Sequence, residues 1–278
     1  MAQRQPLLGF IERESFMHSL TGTTKLVMML VASLAVMLGF DTRFLVLMLV
    51  VSVGLWVSSK ISVRNLSIIL WVVLIMMVLN NLMIFLFAPG YGEEIYGTSH
   101  ILWSGWGRWH VSAEQLFYQL NVTLKYFAVI PIALLFIVTT SPSEFASSLN
   151  RVGVPYKVAY SVSLALRYIP DVQREFRDIS HAQQARGIDT SREVPFSQRL
   201  RSTAAILIPL LLSSLSRIET VATAMELRGF GTGQRRSWYV SRPLRGRDWV
   251  ALAGSALVLA VAVALLWWNG SRFYNPFV

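Results

Sequence analysis

Residues 142–230 contain two similar endings, AQQARG at residues 182–187 and AMELRG at residues 224–229. Before each ending, apolar residues recur at steps of three and four, from Val158 to Ile179 and from Leu200 to Met225. This spacing places them on one face of an α-helix. The pattern therefore predicts two long helices, each closed by an Arg-Gly pair.

The two arginines continue the apolar face of each predicted helix at its last turn. The glycines that follow can adopt the left-handed conformation that ends a helix at low cost. One Arg-Gly pair at a helix end is common and would indicate only a cap. Two pairs at matched positions favour a binding site, because a cation that extends an apolar face needs an acidic partner. The candidate site therefore comprises Ala185, Arg186, Gly187, Leu227, Arg228 and Gly229.

Four residues near these helices are candidate hinges. Pro170 and Pro209 lie inside the predicted helices, where proline removes a hydrogen bond and should kink or restart the helix. Gly153 and Pro155 belong to the turn that precedes the first helix. We expect bending at these positions and stiffness at the helix ends.

The composition indicates an integral membrane protein. Of the 278 residues, 54% are hydrophobic and only 14% are charged, which is too apolar for a soluble domain of this size. The net charge of +10 is concentrated, because residues 141–247 hold 16 of the 25 Lys and Arg but only 8 of the 15 Asp and Glu. A basic block between hydrophobic runs is typical of a cytoplasmic region, so we expect no nucleic acid partner.

Hydrophobic runs predict about five transmembrane helices: Leu26–Phe40, Phe44–Val57, Leu66–Ala88, Leu116–Val138 and Trp249–Trp268. The first two are short for a bilayer, and a re-entrant or interfacial pair is the alternative for this region. The run Ala205–Leu215 is shorter still, so we expect it to be buried against the first motif helix at the inner membrane surface. Residues 89–112 are expected to form an outer loop.

These features define the predicted organisation. The fold class is an all-α polytopic membrane protein with a cytoplasmic helical region between its last two spans. We expect an N-terminal lead and four membrane segments in residues 1–140, a helical region in residues 141–247 and a last transmembrane helix in residues 248–278. Five spans that start inside place the N-terminus in the cytoplasm and the C-terminus outside.

Catalytic signatures are missing from the sequence. No Walker A glycine loop and no Gly-x-Ser-x-Gly nucleophile elbow occur, and there is no cysteine. The four histidines are scattered without metal-ligand spacing, so no metal site is expected. We therefore predict that the chain is not an enzyme.

The motifs resemble those of the transmembrane T component of energy-coupling factor (ECF) transporters, a type of ABC importer in prokaryotes. The similarity is carried in order by SPSE at residues 141–144, GVP at 153–155, LRYIP at 166–170, AQQARG at 182–187 and AMELRGF at 224–230. The N-terminal SFMHSL and KL, at residues 15–20 and 25–26, are also similar. The chain differs at residues 21–23, where it has TGT and the family usually has Asp-Pro-Arg.

The resemblance implies a scaffold role in uptake of a vitamin or a metal ion across the prokaryotic cell membrane. Two cytoplasmic ATPases would each receive one helix end, with Arg186 and Arg228 docked against acidic side chains. A small membrane protein, the S component, would bind the substrate. ATP and magnesium would be bound by the ATPases, and no cofactor by the chain itself.

Two other functions stay open at this point. A conventional ABC permease would use the same ATPases but provide its own substrate path. A non-transport membrane scaffold or channel would use the arginine-tipped helices to bind another acidic partner.

Overall fold

A computed structural model of the protein describes residues 15–104, 109–188, 195–232, 238–239 and 241–277. Most of the predicted N-terminal lead, residues 1–14, lies outside the described residues. The chain divides into two compact units. The first comprises Met1–Glu144 and Arg242–Val278, and the second comprises Phe145–Ser241.

Most of the described residues are helical. The first unit contains α1 (Phe16–Ser19), α2 (Gly22–Leu38), α3 (Thr42–Ser59), a 3-10 turn (Val63–Leu66), α4 (Ser67–Phe87), α5 (Tyr91–Tyr96), strands β1 (Ile101–Ser104) and β2 (His110–Ser112), α6 (Ala113–Thr139) and α10 (Gly246–Asn269). The helix α7 (Pro142–Arg151) begins at the boundary, and the second unit continues with α8 (Tyr156–Ala185) and α9 (Phe196–Leu227).

The core of the first unit lies where α2, α3, α6 and α10 meet. Three of its eight buried side chains are alanines, small residues that let helix backbones approach closely, as is usual between membrane helices. The eight residues are Ala35, Val36, Phe44, Leu45, Met48, Ala128, Ile132 and Ala262. The helix α4 packs less closely, and Asn81 Nδ2 on it donates to Thr123 Oγ1 of α6 at 3.2 Å.

Five helices of the described chain are long and apolar enough to cross a membrane: α3, α4, α6, α10 and residues Ser197–Leu227 of α9. This confirms the all-α polytopic fold class, although the set differs from the predicted one. The first predicted run forms α2, which has only 17 residues. Instead α9 qualifies, because it continues through Pro209 for 32 residues and its threonines, serines and alanines extend the apolar run.

The prediction that Ala205–Leu215 is a buried stretch was wrong for most of its length. Only Ile206 and Leu210 in this run are buried. Leu207, Leu211 and Leu215 are exposed in the described chain, the last two by 61% and 56%. The α8–α9 contact covers one narrow face of α9, and most of the apolar stripe predicted from the sequence is exposed.

The described residues of the predicted loop at 89–112 form regular elements. They include α5 and an antiparallel pairing of β1 with β2. Glu93 joins α5 to the strand pair, because His110 Nε2 on β2 lies 2.5 Å from Glu93 Oε1. Ser99 Oγ also donates to Glu93 Oε2 at 2.9 Å. The C-terminal tail returns to the same region, where the Phe273 ring stacks on Phe40 with centroids 4.7 Å apart.

Candidate functional site

The candidate site is carried by α8 and α9, which pack against each other in antiparallel directions. Near the end of α8, Gln183 contacts Ala205 in the first part of α9. Further back along α8, Glu175 contacts Arg217 of α9. Near the start of α8, Tyr160 contacts Phe230, just beyond the end of α9. The two Arg-Gly ends therefore lie at opposite ends of one helical hairpin.

The separation of the two ends follows from the helix geometry. Gln183 lies beside Ala205, and 23 residues of α9 separate Ala205 from Arg228. At a rise of 1.5 Å per residue, the helix ends are about 35 Å apart. Two separate partner surfaces, or one surface of that width, would be needed to contact both arginines.

Both helices end in the same cap, a Schellman motif. Gly187 has φ +83° and Gly229 has φ +67°, as predicted for left-handed caps. The amides of Gly187 and Ile188 donate to the carbonyls of Gln184 and Gln183. The amides of Gly229 and Phe230 donate in the same way to Glu226 and Met225. The paired 5→2 and 6→1 bonds satisfy the last carbonyls of each helix and fix the direction in which the chain leaves it.

Each cap presents its arginine at the protein surface. Arg186 and Arg228 occupy the last helical position, with nearly the same backbone angles (φ −87°, ψ 7° and φ −85°, ψ 8°). Both side chains are exposed, as are the neighbouring Ala185 and Leu227. Leu227 is 84% exposed. Each tip thus combines a guanidinium with an adjacent apolar side chain.

A polar brace joins the middles of the two helices. The Glu175 carboxylate accepts a hydrogen bond from the Ser213 hydroxyl and a second from Arg217 Nη2, at 2.7 Å for the latter. The Arg217 guanidinium also lies 6.0 Å from the Tyr168 ring centroid. The charge-assisted bonds resist sliding of one helix along the other. Sequence periodicity missed this contact because it scores apolar positions and ignores a single glutamate.

The start of α8 and the end of α9 are fixed by aromatic rings. The rings of Tyr156 and Tyr160 contact Phe230, which directly follows Gly229, and the Trp238 ring contacts both tyrosines. The Tyr160 and Phe230 centroids are 4.7 Å apart. Since Phe230 supplies one of the Schellman amides, this cluster holds the second cap in place.

The hinge candidates occupy two kinds of position. Gly153 has φ +113° in the turn between α7 and α8, and Pro155 is the N-cap of α8. Pro170 and Pro209 lie inside α8 and α9, and neither ends its helix. The expected restart at these prolines is therefore not seen, and bending at any of the four positions remains a prediction.

The long apolar helices and the arginine-tipped hairpin define a class: a polytopic α-helical membrane protein with two matched arginine-capped helix ends. Comparison with known sequences makes the class specific. The profile of the CbiQ family, described as "Cobalt transport protein", matches residues 13–239. The chain belongs to the CbiQ family, the transmembrane T components of energy-coupling factor transporters.

Curated relatives agree with this assignment, and three bacterial examples share the description "Energy-coupling factor transporter transmembrane protein EcfT". The protein of Exiguobacterium sibiricum is 35% identical over 170 residues, which is 58% of this chain and 62% of that relative. The protein of Lacticaseibacillus paracasei is 29% identical over 94% of this chain and 98% of the relative. The Bacillus subtilis protein is 26% identical over 92% and 96%.

Proposed function

We propose that the chain is the energy-coupling scaffold of its transporter. It links two cytoplasmic ABC ATPases to a small membrane subunit that binds the substrate, a vitamin or a metal ion. The ATPases bind and hydrolyse magnesium ATP, and the chain itself is not an enzyme and binds no cofactor directly. The observation that carries this proposal is the matched pair of capped arginines at the two ends of one hairpin.

The side-chain chemistry of the tips suits this role. An arginine presents a planar, permanently charged fork that binds a carboxylate through two parallel hydrogen bonds, which lysine cannot reproduce. A groove on each ATPase with an acidic side chain at its base would accept Arg186 or Arg228, and its rim would cover Ala185 or Leu227. The two helix ends are about 35 Å apart by the rise of α9, a separation that leaves room for each tip to meet a different ATPase.

The hairpin is built to move as one piece. Its helices are continuous for 30 and 32 residues, and the Glu175–Arg217 contact braces them near the middle. A displacement applied at one tip is then carried along the rod rather than lost by sliding between the helices. This stiffness supports a lever that transmits ATPase closure to the substrate-binding subunit.

The proposed sidedness places residues 141–247 and the N-terminus in the cytoplasm of a prokaryotic cell and the C-terminus outside. On this proposal α9 lies along the membrane surface and does not cross, although its length and composition would allow it. If α9 crossed, Arg186 and Arg228 would lie on opposite sides of the bilayer. The sequence has no cysteine, so single cysteines at Ala185 and Leu227 report their side unambiguously.

Labelling of both cysteines by a membrane-impermeant maleimide only after the cells are opened would support the proposed sidedness. Labelling of one from outside would show that α9 spans the membrane, and the lever with two cytoplasmic tips would be wrong.

The docking role is tested by the double substitution Arg186→Ala and Arg228→Ala. Truncation of a buried interfacial charge costs about 2–5 kcal/mol per site, so the ATPases should no longer co-purify and uptake should be abolished. The matched control is Arg177→Ala with Arg201→Ala, which removes the same charge from exposed positions on the same two helices. Normal co-purification and uptake in the first variant would refute the docking role.

A further experiment separates this scaffold from a conventional permease. Reconstituted with the ATPases but without a third membrane protein, the scaffold should give no uptake. Uptake by the chain and ATPases alone would instead identify a permease with its own substrate path.

A further inference from the structure

The chain passes between the two compact units twice. It leaves the first unit after Glu144 and returns to it at Arg242. The covalent chain can carry force from the second unit to the membrane helices at these two connections. The residues that hold each connection within the first unit therefore influence where that force is applied.

The outgoing connection is held by Lys25 in the first turn of α2. The Lys25 ammonium donates to the carbonyl of Thr139, at the end of α6, at 2.7 Å. The same Nζ atom lies 3.7 Å from Glu144 Oε2. Only 1% of the Lys25 side chain is exposed, and a buried ammonium is retained only where such partners compensate its lost hydration.

The returning connection is held by the same turn through Asp248, near the start of α10. Asp248 Oδ1 accepts hydrogen bonds from the Thr21 amide at 2.8 Å, the Thr21 hydroxyl at 3.0 Å and the Thr24 hydroxyl at 2.8 Å. Asp248 Oδ2 accepts from the amide of Arg245 at 2.8 Å. Asp248 is 1% exposed, so its four donors replace water completely.

We propose that Thr21, Thr24 and Lys25 form an anchor that fixes both connections to one helical turn of the membrane unit. They act as positioning residues: they touch neither substrate nor nucleotide, and they make α2 the element that first receives the displacement of the lever. The role of these three residues in force transmission rests on the proposed coupling function. Their hydrogen bonds to Thr139 and Asp248 lie within the first unit and do not depend on that function.

The chain offers a matched control at the opposite end of α10. Asp41 is also buried, with 6% exposure. Its carboxylate caps α3 by accepting from the amide of Arg43 and ties α10 by accepting from Asn269 Nδ2 at 2.8 Å. Its loss should destabilise the helix bundle to a comparable degree, but it holds neither connection to the second unit.

The first test measures substrate uptake per ATP hydrolysed by the complete transporter in proteoliposomes. The variants are Thr21→Val with Thr24→Val, which keeps side-chain volume but removes two donors to Asp248, and Lys25→Met. Each should bind the ATPases normally yet lose about tenfold in uptake per ATP, the effect expected when roughly 1.4 kcal/mol of hydrogen bonding is removed. Thr21→Ser with Thr24→Ser keeps the hydroxyls and should restore the ratio, and Asp41→Ala should leave it unchanged.

Wild-type ratios in both anchor variants would overturn the proposal, as would an equal loss of ratio in Asp41→Ala. If the wild-type chain itself failed to bind the ATPases, the coupling function would fall, and the anchor would be judged by a second measurement on the full chain in lipid nanodiscs.

That measurement is amide hydrogen exchange. Lys25→Met should speed exchange in residues 139–144 by about tenfold, and the paired Val variant should do so in residues 242–248. Asp41→Ala should affect neither segment. Unchanged exchange in both segments would show that the turn anchors nothing.

Discussion

The glycines that close α8 and α9 allow the sharpest test of how the tips are held. Gly187 adopts φ +83°, and a Cβ built on it would meet no atom within 4 Å. The cost of Gly187→Ala is therefore conformational and not steric. The left-handed region costs a residue with a Cβ about 1–2 kcal/mol, and the lower entropy of the unfolded alanine chain offsets about 0.4–1 kcal/mol of this.

The net cost of about 1 kcal/mol should raise the population of molecules with an open cap about fivefold. The effect should be concentrated in the amide of Ile188, which donates to Gln183 in the intact motif. We expect Gly187→Ala to speed hydrogen exchange of this amide about fivefold and to weaken ATPase binding by a similar factor. Gly187→Asn should cost less, because asparagine tolerates the left-handed conformation.

Gly254→Ala is the matched control for this prediction. Gly254 lies within α10, and a Cβ there would also meet nothing within 4 Å. Its backbone is helical, so alanine should stabilise the helix by about 0.5–1 kcal/mol. If Gly187→Ala left the Ile188 amide as protected as in the wild type, the Schellman cap would not hold the tip and the reasoning would be refuted.

Three further predictions concern the brace, the tip chemistry and acid stability. Glu175→Ala should lower the free energy of unfolding of the hairpin by about 1–2 kcal/mol, while loss of the exposed Asp171–Arg174 pair should cost under about 0.5 kcal/mol; equal urea-unfolding midpoints would contradict this. Arg186→Lys should weaken ATPase binding about tenfold despite the retained charge, and unchanged affinity would argue against a bidentate contact. Partial burial would raise the pKa of Glu93, but hydrogen bonds from Ser112, Ser99 and His110 outweigh it and lower this pKa below its usual 4.5. The ionised Glu93 should therefore stabilise the elements around it, and this stabilisation should be lost as the pH falls below about 4.5. Amide hydrogen exchange measured against pH should show this loss in the wild type and not in Glu93→Gln.

The helical hairpin and its caps were accessible from sequence because their causes are local. A period of three to four apolar residues identifies each helix, and glycine after the last turn identifies its end. Both glycines adopt the expected left-handed backbone. The family motifs lie in the same stretch, so local physics and resemblance agree there.

Which neighbour covers each helix face could not be predicted from the sequence in this way. Periodicity indicates that α9 has an apolar stripe but does not say what lies against it. Leu211 and Leu215 of α9 are exposed in the described chain. Arg217 of α9 instead contacts α8, through Glu175. An uncovered stripe is expected when the natural surroundings of a helix include lipid or another protein.

Contacts that depend on distant parts of the chain were also missed. Thr21 and Asp248 are separated by 227 positions, and no local pattern relates a threonine in a TGT sequence to an aspartate near the last helix. The return of the C-terminal tail to Phe40 is equally remote. The short strands β1 and β2 lack the length at which alternation becomes recognisable.

The central claim is that each arginine tip contacts a nucleotide-hydrolysing subunit. Because the chain has no cysteine of its own, single cysteines at Ala185 and Leu227 can carry a short photo-activated cross-linker in the transporter purified from native membranes. Both positions should form adducts with an ATPase subunit, while a cysteine at the exposed Arg177 should form none. Recovery of the ATPases without an adduct at either tip would contradict this claim.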